Sequence, residues 1–133
     1  YTIVDDFGIA VNPLLLAGQV HGGVAQGIGQ ALLEHTVFDK DGQLISASLM
    51  DYTLPRADDL PSFHFETKNV PSTTNPLGIK GAGEAGSIGS TPAVMNAVID
   101  ALDRAYGIRH LQMPATPHRI FEAINSVQRH AAE

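Results

Sequence analysis

Apolar residues recur every three or four positions between Leu14 and Glu34, at Leu16, Val20, Val24, Ile28, Ala31 and Leu32. That is the period of a helix with one buried face. Asn12 before Pro13 supplies its start: a side-chain acceptor, then a residue whose missing N–H is harmless in the first turn. A second helix is predicted from Thr91-Pro92 to Tyr106, with Gly107 as its stop, and a third opens at Thr116-Pro117. The third places Ile120, Phe121, Ile124 and Val127 on one face. Elsewhere the pattern shortens to alternation. Thr2 to Val4 reads as a strand leaving into a turn at Asp5, Asp6 and Gly8, which Ile9 to Val11 continue. Residues 36–38 and 43–45 flank Asp39-Lys40-Asp41-Gly42 as a β-hairpin. Phe63, Phe65 and Thr67 alternate with His64, Glu66 and Lys68 as a half-exposed strand, between loops at 51–62 and 70–80. The expected fold is a single mixed α+β domain over residues 1–133, with a long Gly-rich helix, a β-hairpin and C-terminal helices.

The chain has 133 residues, 44% hydrophobic and 17% charged, the profile of a soluble globular domain. No apolar run reaches the ~18 residues of a membrane span. A formal charge of −6, with eight Lys and Arg scattered along the chain, argues against nucleic acid as a partner. The absence of cysteine excludes a disulfide framework, a zinc knuckle or an iron–sulfur cluster carried by this segment alone. Tyr1 stands where a start methionine would, so a fragment of a longer chain is expected and missing targeting signals carry no weight.

Thirteen glycines are many for this length, and five of them, Gly18, Gly22, Gly23, Gly27 and Gly29, fall inside the first helix. At ~1 kcal/mol each relative to alanine, together they cost roughly 3–5 kcal/mol. Two readings account for that cost. In one, the pairs Gly18-Gly22 and Gly23-Gly27 allow close helix packing. In the other, bare backbone approaches a bulky polyanionic ligand. Gln19 and Gln26 lie seven apart and share a helix face, where their amides could read the edge of a heterocycle.

Gly81-Ala82-Gly83-Glu84-Ala85-Gly86 matches G-x-G-x-x-G, but its context does not suit a nicotinamide site. Pro76 and Gly78 precede it where a strand is needed, and the later acids Asp100 and Asp103 fall inside a predicted helix. A P-loop fails because Lys80 precedes the glycines, and an EF-hand from Asp39 fails because Met50 sits where the bidentate Glu belongs. Glu84 remains, a carboxylate in a loop of small residues. It reads either as a general base or as a surface acid near a helix start. The six histidines do not cluster, and Ser87, Ser90 and Thr91 read as capping residues or phosphate contacts.

The run from Gly18 to Leu32, GQVHGGVAQGIGQAL, and the run from Gly78 to Gly86, GIKGAGEAG, together resemble the xanthine oxidase family. More narrowly, they are similar to the C-terminal part of the molybdenum-binding large subunit of aerobic carbon monoxide dehydrogenase-like enzymes. Val4 to Gly8, Asn12-Pro13, the loop from Asp51-Tyr52 to Pro61 and Thr91-Pro92-Ala93-Val94 fit the same pattern. The resemblance implies a hydroxylase that oxidises a small substrate (carbon monoxide, an aldehyde or an N-heterocycle) with water as oxygen source. Glu84 would then be the catalytic base. Gln19, Gly22, Gly23, Gln26, Lys80, Gly81, Ala82 and Gly83 would line the cofactor, and no residue here is assigned as a metal ligand. The implied cofactor is molybdenum-molybdopterin cytosine dinucleotide. The implied partners are the remainder of the large subunit, an FAD subunit and a subunit with [2Fe–2S] clusters, in a cytoplasmic dimer of heterotrimers. By itself the fragment would be inactive. Two other readings use the same glycines: a stand-alone polyanion- or dinucleotide-binding module, and a structural domain in which they serve packing alone.

Overall fold

The computed structural model describes residues 1–130, with helices α1 (Pro13–Leu32), α2 (Ala85–Tyr106) and α3 (Pro117–His130) and one 3-10 turn at Ala57–Asp59. Residues 131–133 of the expected 1–133 domain and the side chain of His130 lie outside the described part.

Helix α1 begins as its sequence dictates. Asn12 is extended, with φ −137°, and its Oδ1 accepts the Leu15 N–H at 3.1 Å, while Pro13 opens the first turn. Helix α3 likewise follows Thr116, whose carbonyl accepts the Ile120 N–H at 3.0 Å. Helix α2 departs from expectation. It starts at Ala85 instead of Thr91, so Pro92 lies in its interior. An interior proline costs about 3 kcal/mol and leaves one carbonyl without its helical donor. The contact of this extra turn with α1 accounts for the difference. A Cβ on Gly86 would lie 2.8 Å from the Val24 nitrogen and would also collide with the Val20 carbonyl oxygen. One turn on, Ser90 is wholly buried and the Thr91 hydroxyl donates to the Gly27 carbonyl at 3.3 Å. The far end of α2 is legible: Gly107 has φ +71°, its N–H bonds Asp103 O at 2.9 Å, and Ile108 N–H reaches back to Leu102 O at 3.4 Å.

The α1–α2 crossing separates the glycines of α1 into two sets. A Cβ on Gly23 would lie 3.0 Å from both Gly86 Cα and Ser87 N, and one on Gly27 would lie 2.9 Å from Ser90 Cβ and strike its hydroxyl. Gly29 is closed off by Pro55, whose Cδ would lie 2.8 Å away. Gly18 and Gly22 face open space. The packing reading therefore holds for Gly23-Gly27 and is corrected for Gly18-Gly22.

Below the crossing, Ala31, Met95 and Ala115 form a small core, against which Leu32, Val98 and Ile120 pack. The Ala115 N–H donates to the Ala31 carbonyl at 2.6 Å, which ties the α3 approach to the end of α1.

No strand forms among the described residues; extended chain and two isolated antiparallel bridges, Gly8–Ile79 and Phe38–Leu44, stand where strands were expected. At 36–45 the chain turns back at Gly42, and Asp39 N–H reaches Gln43 O at 2.9 Å, but the pairing stops at one bridge. The alternation at 63–66 survives without a ladder: Phe63 and Phe65 are half-buried over α1, His64 and Glu66 exposed. A ladder needs a neighbouring backbone, and this segment lies on a helix. Many large apolar side chains stay in solvent, among them Leu49, Met50, Leu77 and Ile88. The apolar demand of the sequence exceeds what its own core absorbs.

Candidate cofactor groove

Gly18 and Gly22 share a stripe of α1 with Leu15, Gln19 and Gln26, spaced by threes and fours. Together with Leu14, Gly23 and, from the loop before α2, Gly83, they line an open groove of about 380 Å³. Across it the Gln19 Nε2 donates to the Gly83 carbonyl at 3.2 Å. That bond orients the Gln19 amide and leaves its Oε1 as an acceptor. The Gln26 side chain makes no hydrogen bond to any described residue, so both the donor and the acceptor of its amide remain available. Cβ atoms on Gly18, Gly22, Gly81 or Gly83 would meet nothing within 4 Å. The space is thus reserved by three missing side chains, at Gly18, Gly22 and Gly83, and the polar groups bordering it are amides with no charge of their own. Such a cradle fits a large planar or phosphate-bearing ligand that uses hydrogen bonds along its edge. Leu14 and Leu15, 81% and 69% exposed, form an apolar lip that sequence reasoning did not assign to the site. Their signal was present in the apolar triplet Leu14-Leu15-Leu16, which is wider than one buried helix face requires.

The loop carrying Glu84 is anchored on both sides. Upstream, the Lys80 N–H donates to Phe7 O at 3.0 Å, and the Lys80 ammonium pairs with Asp6 Oδ2. The other oxygen of Asp6 accepts the Gly8 and Val70 N–H groups at 3.0 and 2.8 Å. The Lys80 hydrogen bond, then those two amides, hold the Asp6 carboxyl down at about 2. Gly8 and Gly78 approach so closely there that a Cβ on Gly8 would collide with the Gly78 carbonyl oxygen; both glycines have positive φ. Downstream, the Glu84 carbonyl accepts the Ser87 and Ile88 N–H groups at 3.0 and 3.1 Å, opening α2.

Glu84 itself stands at the cap position of α2 without capping it by its side chain. It is exposed, and its carboxylate makes no hydrogen bond or ion pair with any described residue. Of the residues singled out by sequence, Gln19, Gly22, Gly23, Gln26 and Gly83 come together in the groove. Gly81, Ala82 and Glu84 flank it on the loop, and the Lys80 side chain is engaged with Asp6. Asp6 was not singled out, because its partner lies 74 positions away and no local pattern marks the pair.

A second cavity, of about 510 Å³, opens on another face of α1, between His21 and the chain at Phe63 and Phe65. The two rings meet the imidazole edge-on, at 5.5 and 5.8 Å between centroids. His21, placed amid the groove motif in sequence, thus points away from the groove. No group of three His, Asp or Glu side chains gathers as a metal cage among the described residues, and no helix there is long and apolar enough to cross a membrane.

Fold and groove define a class: a ligand-lining domain that offers backbone, glutamine amides and one free carboxylate. A family profile described as molybdopterin cofactor-binding domain matches residues 1–61. The chain belongs to the molybdenum-binding large-subunit family of xanthine oxidase and aerobic carbon monoxide dehydrogenase. It is 40% identical over 124 residues to the nicotine 6-hydroxylase large subunit of Paenarthrobacter nicotinovorans, covering 93% of this chain and 15% of that one. It is 37% identical to the carbon monoxide dehydrogenase large chain of Hydrogenophaga pseudoflava, with 91% and 15% covered. Among solved structures, quinoline 2-oxidoreductase from Pseudomonas putida 86 superposes with a TM-score of 0.84 at 43% identity, over 92% of this chain and 15% of that one. The chain thus spans about 15% of the length of the relatives it matches.

Proposed function

We propose that this segment lines the pterin cofactor of a molybdenum hydroxylase and supplies the general base, Glu84. The observation that supports this most is the stripe of Gly18 and Gly22 beside Gln19 and Gln26, open where glycine has no packing reason to be. Glycines packed against α2 would serve any helical fold, whereas open ones in a helix cost stability and gain only ligand access.

The cofactor, when bound, supplies the two-electron oxidation and the site at which water-derived oxygen is delivered to substrate carbon. The residues of this chain do the rest. Gln19 presents Oε1 from an amide already fixed by Gly83, and Gln26 offers both donor and acceptor to the heterocycle edge. The bare backbone at Gly81 and Gly83 lets the pyrophosphate side approach peptide N–H groups ahead of α2, as suits molybdopterin cytosine dinucleotide. Leu14 and Leu15 keep water from the lip. Glu84, free of any partner, takes up at its carboxylate the proton released as oxygen moves to the substrate.

The substrate class is a small oxidisable carbon centre: carbon monoxide, an aldehyde or an N-heterocycle, in keeping with relatives named for carbon monoxide, nicotine and quinoline. Exposed Leu49, Met50 and Ile88 are covered by the remainder of the large subunit, which also gives the extended segments at 2–4 and 63–67 their strand partners, completing the α+β domain. Electrons leave through flavin and [2Fe–2S] subunits of a cytoplasmic complex, a dimer of heterotrimers. The isolated segment is inactive, since most of the cradle lies elsewhere. Replacing Gly22 with Leu in the full-length enzyme tests the cradle: molybdenum and released cytidine monophosphate should both fall well below one per subunit. Full loading of that variant would refute it.

A further inference from the structure

One carboxylate, Asp6, holds three separate stretches of chain that meet beside the Glu84 loop. Its Oδ1 accepts from Gly8 and Val70, its Oδ2 pairs with the Lys80 ammonium, and the neighbouring Phe7 carbonyl takes the Lys80 N–H at 3.0 Å. Between Lys80 and Glu84 lie only Gly81, Ala82 and Gly83. The two glycines carry no side chain to brace the loop, and nothing packs where a Cβ would stand. Its path is therefore set from outside, by the Asp6–Lys80 pair upstream and by Gln19 on Gly83 downstream. Lys80 is thus the nearest side-chain anchor upstream of Glu84, with only three residues between them along the chain.

We propose that Asp6 is a positioning residue for Glu84, acting through Lys80, whose side chain serves as a strut and not as a ligand contact. This rests on the reading of Glu84 as the base. Asp6 does not touch the groove. Its loss would act on the placement of the carboxylate, not on the affinity of the cradle. Misplacement of a reacting group by about 1 Å costs on the order of 10- to 100-fold in rate.

The test uses the full-length, cofactor-loaded enzyme. Asp6→Asn and Lys80→Gln should each lower kcat by about 10- to 100-fold, with KM nearly unchanged and molybdenum content near that of the parent. Hydrogen exchange of the amides at 79–84 should rise in both, and Lys80→Arg, which keeps the charge, should restore the parent exchange. The double variant should be no slower than the worse single one, since both remove one strut. Wild-type kcat together with wild-type exchange in Asp6→Asn overturns the proposal. If Asp6→Asn fails to assemble, Lys80→Gln decides in the same terms, because it leaves both amide bonds to Asp6 in place. Glu84→Gln separates the two levels: full turnover in that variant refutes the base, whereas exchange at 79–84 still judges whether Asp6 holds the loop.

Discussion

The Gln19 side chain and the Gly83 carbonyl meet at 3.2 Å across 64 positions of sequence, joining the glycine stripe of α1 to the loop that carries Glu84. Through that bond the two glycine-rich motifs of the chain form one site. The bond also takes one of the two N–H donors of the Gln19 amide, which leaves the other donor and the Oε1 acceptor for a ligand.

Replacing Gln19 with Leu should leave the unfolding free energy of the full-length subunit within about 0.5 kcal/mol, as for other exposed side chains. Hydrogen exchange at Gly83 to Ala85 should nonetheless accelerate, because the carbonyl of Gly83 loses its tether. Unchanged exchange would show that the loop holds itself.

The glycines of α1 should divide by substitution as they divide by contact. Gly23→Ala and Gly27→Ala drive a methyl into the backbone of α2 or into Ser90, and should destabilise by about 1–3 kcal/mol. Gly18→Ala and Gly22→Ala meet open space and should stabilise by up to ~1 kcal/mol through helix propensity. Thermal unfolding of the four variants in the cofactor-free full-length subunit checks the split.

Asp6 gives a pH dependence with a definite sign. Its carboxyl lies at about 2 in the fold against an ordinary value of 3.8, first through the Lys80 hydrogen bond and then through two amides. A depressed acid contributes stability above its unfolded value and loses that contribution as pH falls through the folded one. Stability should therefore decline between about pH 4 and pH 2. Asp6→Asn should flatten the profile in that window, as read by denaturant midpoints at stepped pH.

Local chemistry was legible and long-range chemistry was not. Asn12-Pro13, Gly107 and Thr116-Pro117 mark helix ends by their own backbone preferences, and α1, the end of α2 and the start of α3 follow them. Thr91-Pro92 carries the same local start signal, yet Gly86 against α1 extends α2 back to Ala85 and leaves Pro92 inside the helix. Gly22 and Gly23 are adjacent in sequence and opposite in outcome. A rotation of about 100° per residue turns one toward the groove and the other toward α2. Periodicity alone could not say which face met what. Asp6 and Lys80 were each visible in a motif, but nothing in the sequence marked them as a pair 74 positions apart. The alternation at 63–67 predicted the inward side of Phe63 and Phe65, though Thr67 is exposed, and a pattern does not provide the neighbouring strand.

The central claim is that Glu84 is the base and the groove beside it the cofactor cradle. Glu84→Gln keeps the size of the side chain and removes its capacity to accept a proton, in a residue with no partner to lose. In the full-length enzyme, steady-state turnover should fall by at least ~100-fold, while molybdenum and cytidine nucleotide content stay at the parent level. Turnover near the parent level in a fully loaded Glu84→Gln enzyme would contradict the account.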